Sequence, residues 1–198
     1  MRPGDQATAP TGATGLAVVK VGGSLARLPG ALERVGKALA QARAGRPIVV
    51  IPGGGPFADT VREFDRRSGL SPDAAHWMAI LAMDQFGYVL GDRIPGGLVV
   101  TDAREVAEAL QRHQVPILAP ARWLRAADEL PHRWEVTSDS LAAYLAVLLG
   151  ADELVLVKPV AGGRELLDPY FSRAAAAIPW SVVGLEEVDG LAEKLRAS

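Results

Sequence analysis

A three-layer α/β/α sandwich around a mainly parallel sheet is predicted by three features of this 198-residue chain. Short, Val-rich apolar runs recur without polar alternation, as parallel strands covered on both faces require. Stretches with helical spacing separate these runs, an alternation that favours right-handed crossovers within one sheet. Two of the runs end abruptly in glycine turns, at Gly22 and Gly23 and at Gly53, Gly54 and Gly55.

The first strand is LAVVKV, Leu16 to Val21, and a helix with Leu32, Val35 and Leu39 on one face follows from Pro29 to Ala44, stopped by Gly45. PIVVI, Pro47 to Ile51, is the second strand. Helical spacing resumes at Phe57, Val61 and Phe64, and again from Pro72 to Leu90, where Trp77, Ile80, Leu81, Met83, Phe86 and Leu90 make a stretch apolar enough for a central or oligomer-facing helix. Trp77, Met78 and Met83 read as packing residues. A strand at Gly97–Val100, a helix at Ala103–Arg112 and a strand at Val115–Ala119 come next. The interval Pro120–Val136, with Trp123, Pro131 and Trp134, shows no clear period and is expected to lie over a substrate-side opening. Thr137 caps a helix over Ser138–Leu149, and ELVLVKPV, Glu153 to Val160, is a further strand. A Gly162-Gly163 turn, a short helix over Pro169–Ala177, a strand at Trp180–Val183 and a helix over Glu186–Leu195 close the chain.

At roughly 150 residues per domain the length fits one fold unit. We expect a flexible leader over residues 1–15, rich in Gly, Pro, Ala and Thr, and a single domain over 16–198. The apolar run after the leader is broken at Lys20, which suits neither a secretory signal nor a membrane span, so the expectation is a soluble cytoplasmic protein. Lys plus Arg number 21 and Asp plus Glu 23, a net charge of −2 that gives no reason to seek nucleic acid or an anionic membrane. The absence of cysteine excludes disulfides, thiolate zinc sites and cysteine nucleophiles. His76, His113 and His132 are too far apart for a short metal-binding motif, and no metal ligands are assigned.

In open α/β sheets ligands sit at the carboxyl ends of strands, where both KVGGS and IPGGG lie. Glycine lets backbone amides approach an anion, although neither segment is a P-loop or a dinucleotide fingerprint, and each also reads as a simple tight turn. Lys20 lies inside an apolar strand, and an ammonium there is costly unless it reaches solvent, an acid or a ligand. Its functional reading is stabilisation of charge on a transferring phosphoryl group; the plain one is a snorkelling or paired lysine. Lys158 repeats the arrangement at the end of ELVLV, before Pro159. Asp139, in the first turn of a predicted helix, either orients the two lysines, helps hold magnesium, or stabilises a helix start. Asp84 and Gln85 interrupt the apolar helix, as substrate contacts or as part of a buried network. Arg62 and Asp59 follow IPGGG on a helix, facing substrate or solvent, and His76 stands near the same rim, where a structural or surface role fits it best.

VVKVGGSL at Val18–Leu25, VIPGGGPFADTVR at Val50–Arg62, TSDSLAAYLA at Thr137–Ala146 and LVLVKPVAGG at Leu154–Gly163 together resemble the amino acid kinase superfamily, in its order and over most of the chain. The resemblance implies Lys20 as the phosphoryl-binding lysine, Gly22, Gly23 and Ser24 as a cradle for the transferring group, and Gly53, Gly54 and Gly55 as the acceptor-side anion loop. It implies Asp139 as organiser of the catalytic lysines Lys20 and Lys158, with Lys158 and Gly162 on the nucleotide side and Arg62 and Asp84 on the acceptor side. ATP and Mg2+ are the implied cofactors, with direct attack of the acceptor on the γ-phosphoryl group and no covalent protein intermediate.

The interval His76–Leu90 is most similar to the branch of aminomethylfuranyl-methyl phosphate kinases that serve methanofuran-type cofactor biosynthesis, which implies a small phosphomonoester acceptor converted to its diphosphate. The alternatives are another small-molecule kinase, such as an isopentenyl phosphate kinase, and a non-catalytic phosphate- or nucleotide-binding relative. A homodimer or higher homo-oligomer through the apolar helix is expected. Two departures from the family pattern stand out: Lys158-Pro159-Val160-Ala161-Gly162 replaces a TDVDG-like turn, and the C-terminal nucleotide lobe reads as shortened. They leave three readings of the nucleotide side: Lys158 supplies the missing charge, the donor differs, or kinase activity is lost.

Overall fold

The computed structural model describes residues 15–197, so the predicted leader lies outside the described residues apart from Gly15. Fully buried apolar runs form the strands β1 (Ala17–Val21), β2 (Ile48–Pro52) and β4 (Val115–Leu118). β3 (Gly97–Val100), β5 (Glu153–Lys158) and β6 (Trp180–Gly184) complete a six-stranded sheet of order β3-β4-β2-β1-β5-β6. Every pairing within it is parallel, so the sheet is wholly rather than mainly parallel.

The helices are α1 (Ala31–Ala42), α2 (Gly55–Ser68), α3 (Pro72–Arg93), α4 (Ala103–Gln111), α5 (Ala121–Ala127), α6 (Ser138–Leu148), α7 (Phe171–Ala174) and α8 (Leu191–Ala197). Their starts follow local chemistry. Ser71 and Asp102 accept from Ala74 N and Glu105 N at the heads of α3 and α4, and Pro72 occupies the first position of α3, where no amide hydrogen is needed.

Strand alternation sorts the core. Leu16, Val18, Val49, Ile51, Leu154 and Leu156 face one way, against α4, α5, α6 and α7 through Val106, Leu124, Leu141, Leu145 and Phe171. Ala17, Val19, Val21, Val50, Val155 and Val157 face the other way, against α1 and α8 through Val35, Leu39, Leu191 and Leu195. α3 serves both cores, with Ile80 and Met83 in the first and Phe86 and Leu90 in the second, which is why so much of its circumference is apolar. The result is a three-layer α/β/α sandwich.

Four expectations change in detail. The interval Pro120–Val136 opens with α5, which ends at Asp128 in a left-handed conformation (φ 42°). β5 stops at Lys158 instead of Val160, because Pro159 has no amide hydrogen to extend the ladder. The helix predicted over Pro169–Ala177 contracts to α7. The closing helix divides into a 3-10 turn, Leu185–Gly190, and α8.

Candidate active site

Residues 18 and 20 of β1, with Leu16 just before it, and residues 154, 156 and 158 of β5 lie on one face of the sheet, because side chains alternate along a strand. The two strands are neighbours, with Lys20 opposite Leu156, so Lys158 stands one strand over and one step further out. The apolar members of each series enter the core, and the lysines at the ends meet the first turn of α6. There Asp139 Oδ1 accepts from Lys20 Nζ and Asp139 Oδ2 from Lys158 Nζ, each at 2.7 Å. Lys20 and Asp139 are each 4% exposed, so this is a buried pair rather than a screened surface contact. Lys158 Nζ also donates to the Leu166 carbonyl at 2.6 Å.

Burial pushes the Lys20 ammonium below the usual lysine range, more strongly than Asp139 draws it up. Burial acts to raise the Asp139 carboxyl, but the two ammoniums together outweigh it and hold the group below its ordinary range. Two cations around one anion leave a net positive charge in a largely dry place, which suits a phosphoryl group.

Beside the lysines, two glycine turns meet. Gly22 opens the 3-10 turn Gly23–Arg27 and Gly54 precedes α2, and neither start is capped by a side chain. Gly22 N donates to Val157 O at 2.9 Å and Gly53 N to Val21 O at 2.8 Å, which fastens both turns to the strand ends. A Cβ on Gly23 would stand 2.2 Å from Gly55 N, so only glycine allows this approach. Uncapped amides at a helix start favour an anion, and α2 presents them beside Lys20.

The turns and lysines line a cavity of about 520 Å³ together with Ser24, Arg27, Asp59 and Arg62. Arg27 and Arg62 both pair with Asp59, the latter at 3.3 Å. The opposite wall comes from α3 and from His132, Arg133, Trp134, Val136, Thr137 and Ser138, so the end of the interval before α6 lies over this cavity. Trp134 Nε1 donates to Asp65 at 2.8 Å, and the Arg62 guanidinium lies 5.2 Å from the Trp134 ring centroid. His132 stands between Asp73 and Asp128, at 2.7 and 2.8 Å, and stacks on His76 at 4.1 Å. Its bond to Asp73, with help from Asp128, raises the His132 pKa, whereas burial and then the neighbouring His132 push His76 down to about 4.

Lys20, Gly22, Gly23, Ser24, Gly54, Gly55, Arg62 and Lys158 therefore share one cavity, with Asp139 bonded beneath it. Gly53 braces the turn behind the wall, and Gly162 packs against Leu166 and Glu165 outside the lining. Asp84 does not line the cavity either: its Oδ1 accepts from Ala121 N at 3.0 Å, tying α3 to the start of α5, and burial raises its pKa. Its placement matches the network reading. Sequence reasoning missed Arg27, Asp65 and Asp168. The last accepts from Thr137 and Ser140 at the head of α6, and the Asp168-Pro169 pair after a glycine-rich turn is the one local mark that hinted at it.

A model of the amino acid kinase family matches residues 15–162. The chain belongs to that family. Among curated members, the [5-(aminomethyl)furan-3-yl]methyl phosphate kinase of Methanocaldococcus jannaschii is 34% identical over 146 residues, which is 73% of this chain and 66% of that protein. The acetylglutamate kinase of Streptococcus mutans is 34% identical over 98 residues, 48% of this chain and 36% of its own length. The chain thus spans about two thirds of the first relative and about a third of the second. Among solved structures, uridylate kinase from Archaeoglobus fulgidus has a TM-score of 0.67 at 16% identity, over 90% of this chain and 95% of that one. UMP kinase from Bacillus anthracis has a TM-score of 0.68 at 14% identity, over 93% of each chain. At these identities the likeness is one of fold.

An amino acid kinase handles a nucleotide, and the residues present fit its phosphates: a buried lysine, a second lysine at the next strand end, and a glycine cradle that any Cβ would fill. Among the described residues no group of three or more His, Asp or Glu is placed to hold a metal ion.

Proposed function

We propose that this amino acid kinase transfers the γ-phosphoryl group of ATP to a small phosphomonoester, with [5-(aminomethyl)furan-3-yl]methyl phosphate, the acceptor named for its M. jannaschii relative, as the substrate. The observation that carries the reading is the convergence of Lys20 and Lys158 on Asp139 beside the paired glycine turns. An oxygen of the acceptor phosphate forms the new bond to the γ-phosphorus, the bond from that phosphorus to the β,γ-bridging oxygen breaks, and ADP leaves. The acceptor oxygen is already ionised near neutral pH, so no general base is required. Lys20 and the turn amides neutralise charge on the transferring group, Lys158 does so from the nucleotide side, and Arg62 and Arg27 hold the acceptor phosphate. Mg2+ would supply further charge neutralisation on the nucleotide phosphates.

The test is ADP formation from Mg-ATP with the furan phosphate, isopentenyl phosphate, UMP and N-acetylglutamate in parallel, with products identified by mass. Selective conversion of the furan phosphate to its diphosphate is expected. Turnover confined to another acceptor would reassign the substrate, and nucleotide binding without turnover on any acceptor would make the protein a binder.

We also propose a homodimer through the outer face of α3. Met78, Leu81 and Tyr88 are exposed there at 36%, 48% and 67%, and Phe64 of α2 adds a further exposed apolar ring. Light scattering should give a dimer mass that Leu81→Glu reduces to a monomer; a wild-type monomer sinks this part.

A further inference from the structure

Asp168 lies in the connection between β5 and α7, just past the 3-10 turn Arg164–Leu166. Its Oδ2 accepts from Thr137 N at 3.1 Å, from Thr137 Oγ1 at 2.7 Å and from Ser140 N at 3.1 Å. Its Oδ1 accepts from Ser140 Oγ and, at 3.1 Å, from Tyr170 N. Four of these five donors belong to the two residues that flank the Ser138-Asp139 step of α6. Thr137 Oγ1, having given its proton to Asp168, accepts from Asp139 N at 3.4 Å, which links Asp168 to the backbone of Asp139 through one hydroxyl. Two residues earlier in the same loop, the Leu166 carbonyl holds the Lys158 ammonium.

Residues 166–168 thus grip both Lys158 and the helix turn that carries Asp139. This is more than a helix cap requires, because Thr137 alone already caps α6. The charge of Asp168 also reaches Lys20, where it favours the ammonium. Only a carboxylate suits the position: it offers about four acceptor sites and no donor, whereas an amide would aim N–H groups at N–H and O–H donors.

We propose that Asp168 is a positioning residue for phosphoryl transfer, fixing the α6 turn so that Asp139 holds the Lys20 and Lys158 ammoniums in place. The proposal rests on the phosphoryl-transfer reading above, so its test includes a measurement that needs no turnover.

The chain has four lysines, at 20, 37, 158 and 194, few enough for lysine side-chain carbon NMR to resolve each one. In folded full-length Asp168→Asn, the Lys20 and Lys158 resonances should move while those of Lys37 and Lys194 stay in place. With the acceptor that the wild type uses, kcat should fall by about 10²-fold, the cost of a misplacement near 1 Å, at temperatures well below unfolding. The acceptor KM should stay near the wild-type value, because the cavity mouth is untouched. A lowered Tm with unmoved lysine resonances and wild-type kcat would make Asp168 a helix cap and overturn the proposal. If Asp168→Asn does not fold, Thr137→Val, which removes the hydroxyl link but keeps the shape, carries the lysine-resonance and kcat tests with the same opposed outcomes; KM is no part of that test, because Thr137 lines the cavity. If the wild type turns over no acceptor, the kinase reading fails by itself; the lysine resonances then decide, upholding the placement of the ammoniums by Asp168 if they move and refuting it if they do not.

Discussion

Lys20→Met and Asp139→Asn should divide their effects between stability and turnover in opposite ways. In the native cluster Asp139 receives both ammoniums at 2.7 Å, and Lys20 and Asp139 are each 4% exposed. Methionine keeps the length and most of the packing of Lys20, and Asp139 retains Lys158 as its partner. The lost charge-assisted hydrogen bond, about 1.5–3 kcal/mol, is offset by no longer drying an ammonium, which costs several kcal/mol per ion, so the net change should lie within about 1 kcal/mol. Asp139→Asn instead leaves the buried Lys20 ammonium and the partly buried Lys158 ammonium facing each other across a neutral amide. Removing the shared partner of a buried pair costs about 3–5 kcal/mol. Turnover responds differently: loss of one preorganised donor to the transferring group lowers kcat by about 10²–10³-fold in Lys20→Met despite its native-like stability. In the double variant a single ammonium remains, so Asp139→Asn should destabilise less in the Lys20→Met background than alone, with a coupling of about 1–3 kcal/mol. Urea unfolding gives the stabilities and ADP release gives the rates. If Lys20→Met destabilises as much as Asp139→Asn, and loses no more turnover than its unfolded fraction explains, Lys20 is a structural cation and the transfer role falls.

Gly23→Ala would place its Cβ 2.2 Å from Gly55 N and 2.6 Å from Gly55 Cα, where ordinary contacts are about 3.5–4.0 Å. The turns must part by about 1 Å, so we expect a loss of about 1–3 kcal/mol and of about 10²-fold in transfer rate, whereas Gly190→Ala, which meets nothing within 4 Å, should be neutral; equal behaviour of the two refutes the cradle. His76, with its pKa lowered to about 4, contributes stability that is complete above its unfolded value near 6.5 and is lost as pH falls through about 4. His132, raised above 6.5, contributes stability that is complete below 6.5 and is lost as pH rises through its higher folded value. Nitrogen-detected titration of the histidines should show this divergence, and two transitions near 6.5 would contradict the stacked pair between carboxylates. Asp84→Ala strands the Ala121 amide and should cost about 1–3 kcal/mol with an unchanged acceptor KM, while Asp84→Asn keeps an acceptor and should leave both stability and KM near wild type. A raised KM in Asp84→Asn would return that residue to the substrate.

Much of the fold is legible because its punctuation is local. Val-rich runs, glycine turns and caps such as Thr137 act within a few residues of where they are written. The two lysines were legible for a related reason: an ammonium that breaks an apolar run must have somewhere to go. What alternation could not supply was the sheet order that puts β5 beside β1, and with it the convergence on Asp139. Asp168 stayed hidden because four of its five donors lie 28 and 31 residues away along the chain. α5 escaped because seven residues make less than two turns, and its start is satisfied by Asp84 from another helix. The closing helix split because its first turn follows the tighter 3-10 path around Val188 before Leu191 begins α8.

The sheet order also explains why the site has a stiff floor and a looser mouth. From β1 the chain runs outward through β2 toward β3 and β4 and then returns to lay β5 on the other side of β1, so the topological switch falls at β1, where open α/β sheets bind their ligands. Lys20 stands at the end of that strand, flanked by glycine turns that close approach holds in place, and Asp139 descends on it from a buried helix. Each of these groups is fixed by core packing or by buried charge, and such contacts are strong because water is excluded. The mouth is built of another material. Arg62, Trp134, Asp65, His132 and Asp73 meet through polar and ring contacts at the surface, each contributing little to stability. Substitutions there should disturb neither sheet nor lysines, so under the phosphoryl-transfer proposal acceptor recognition would be free to vary over an unchanged lysine cluster.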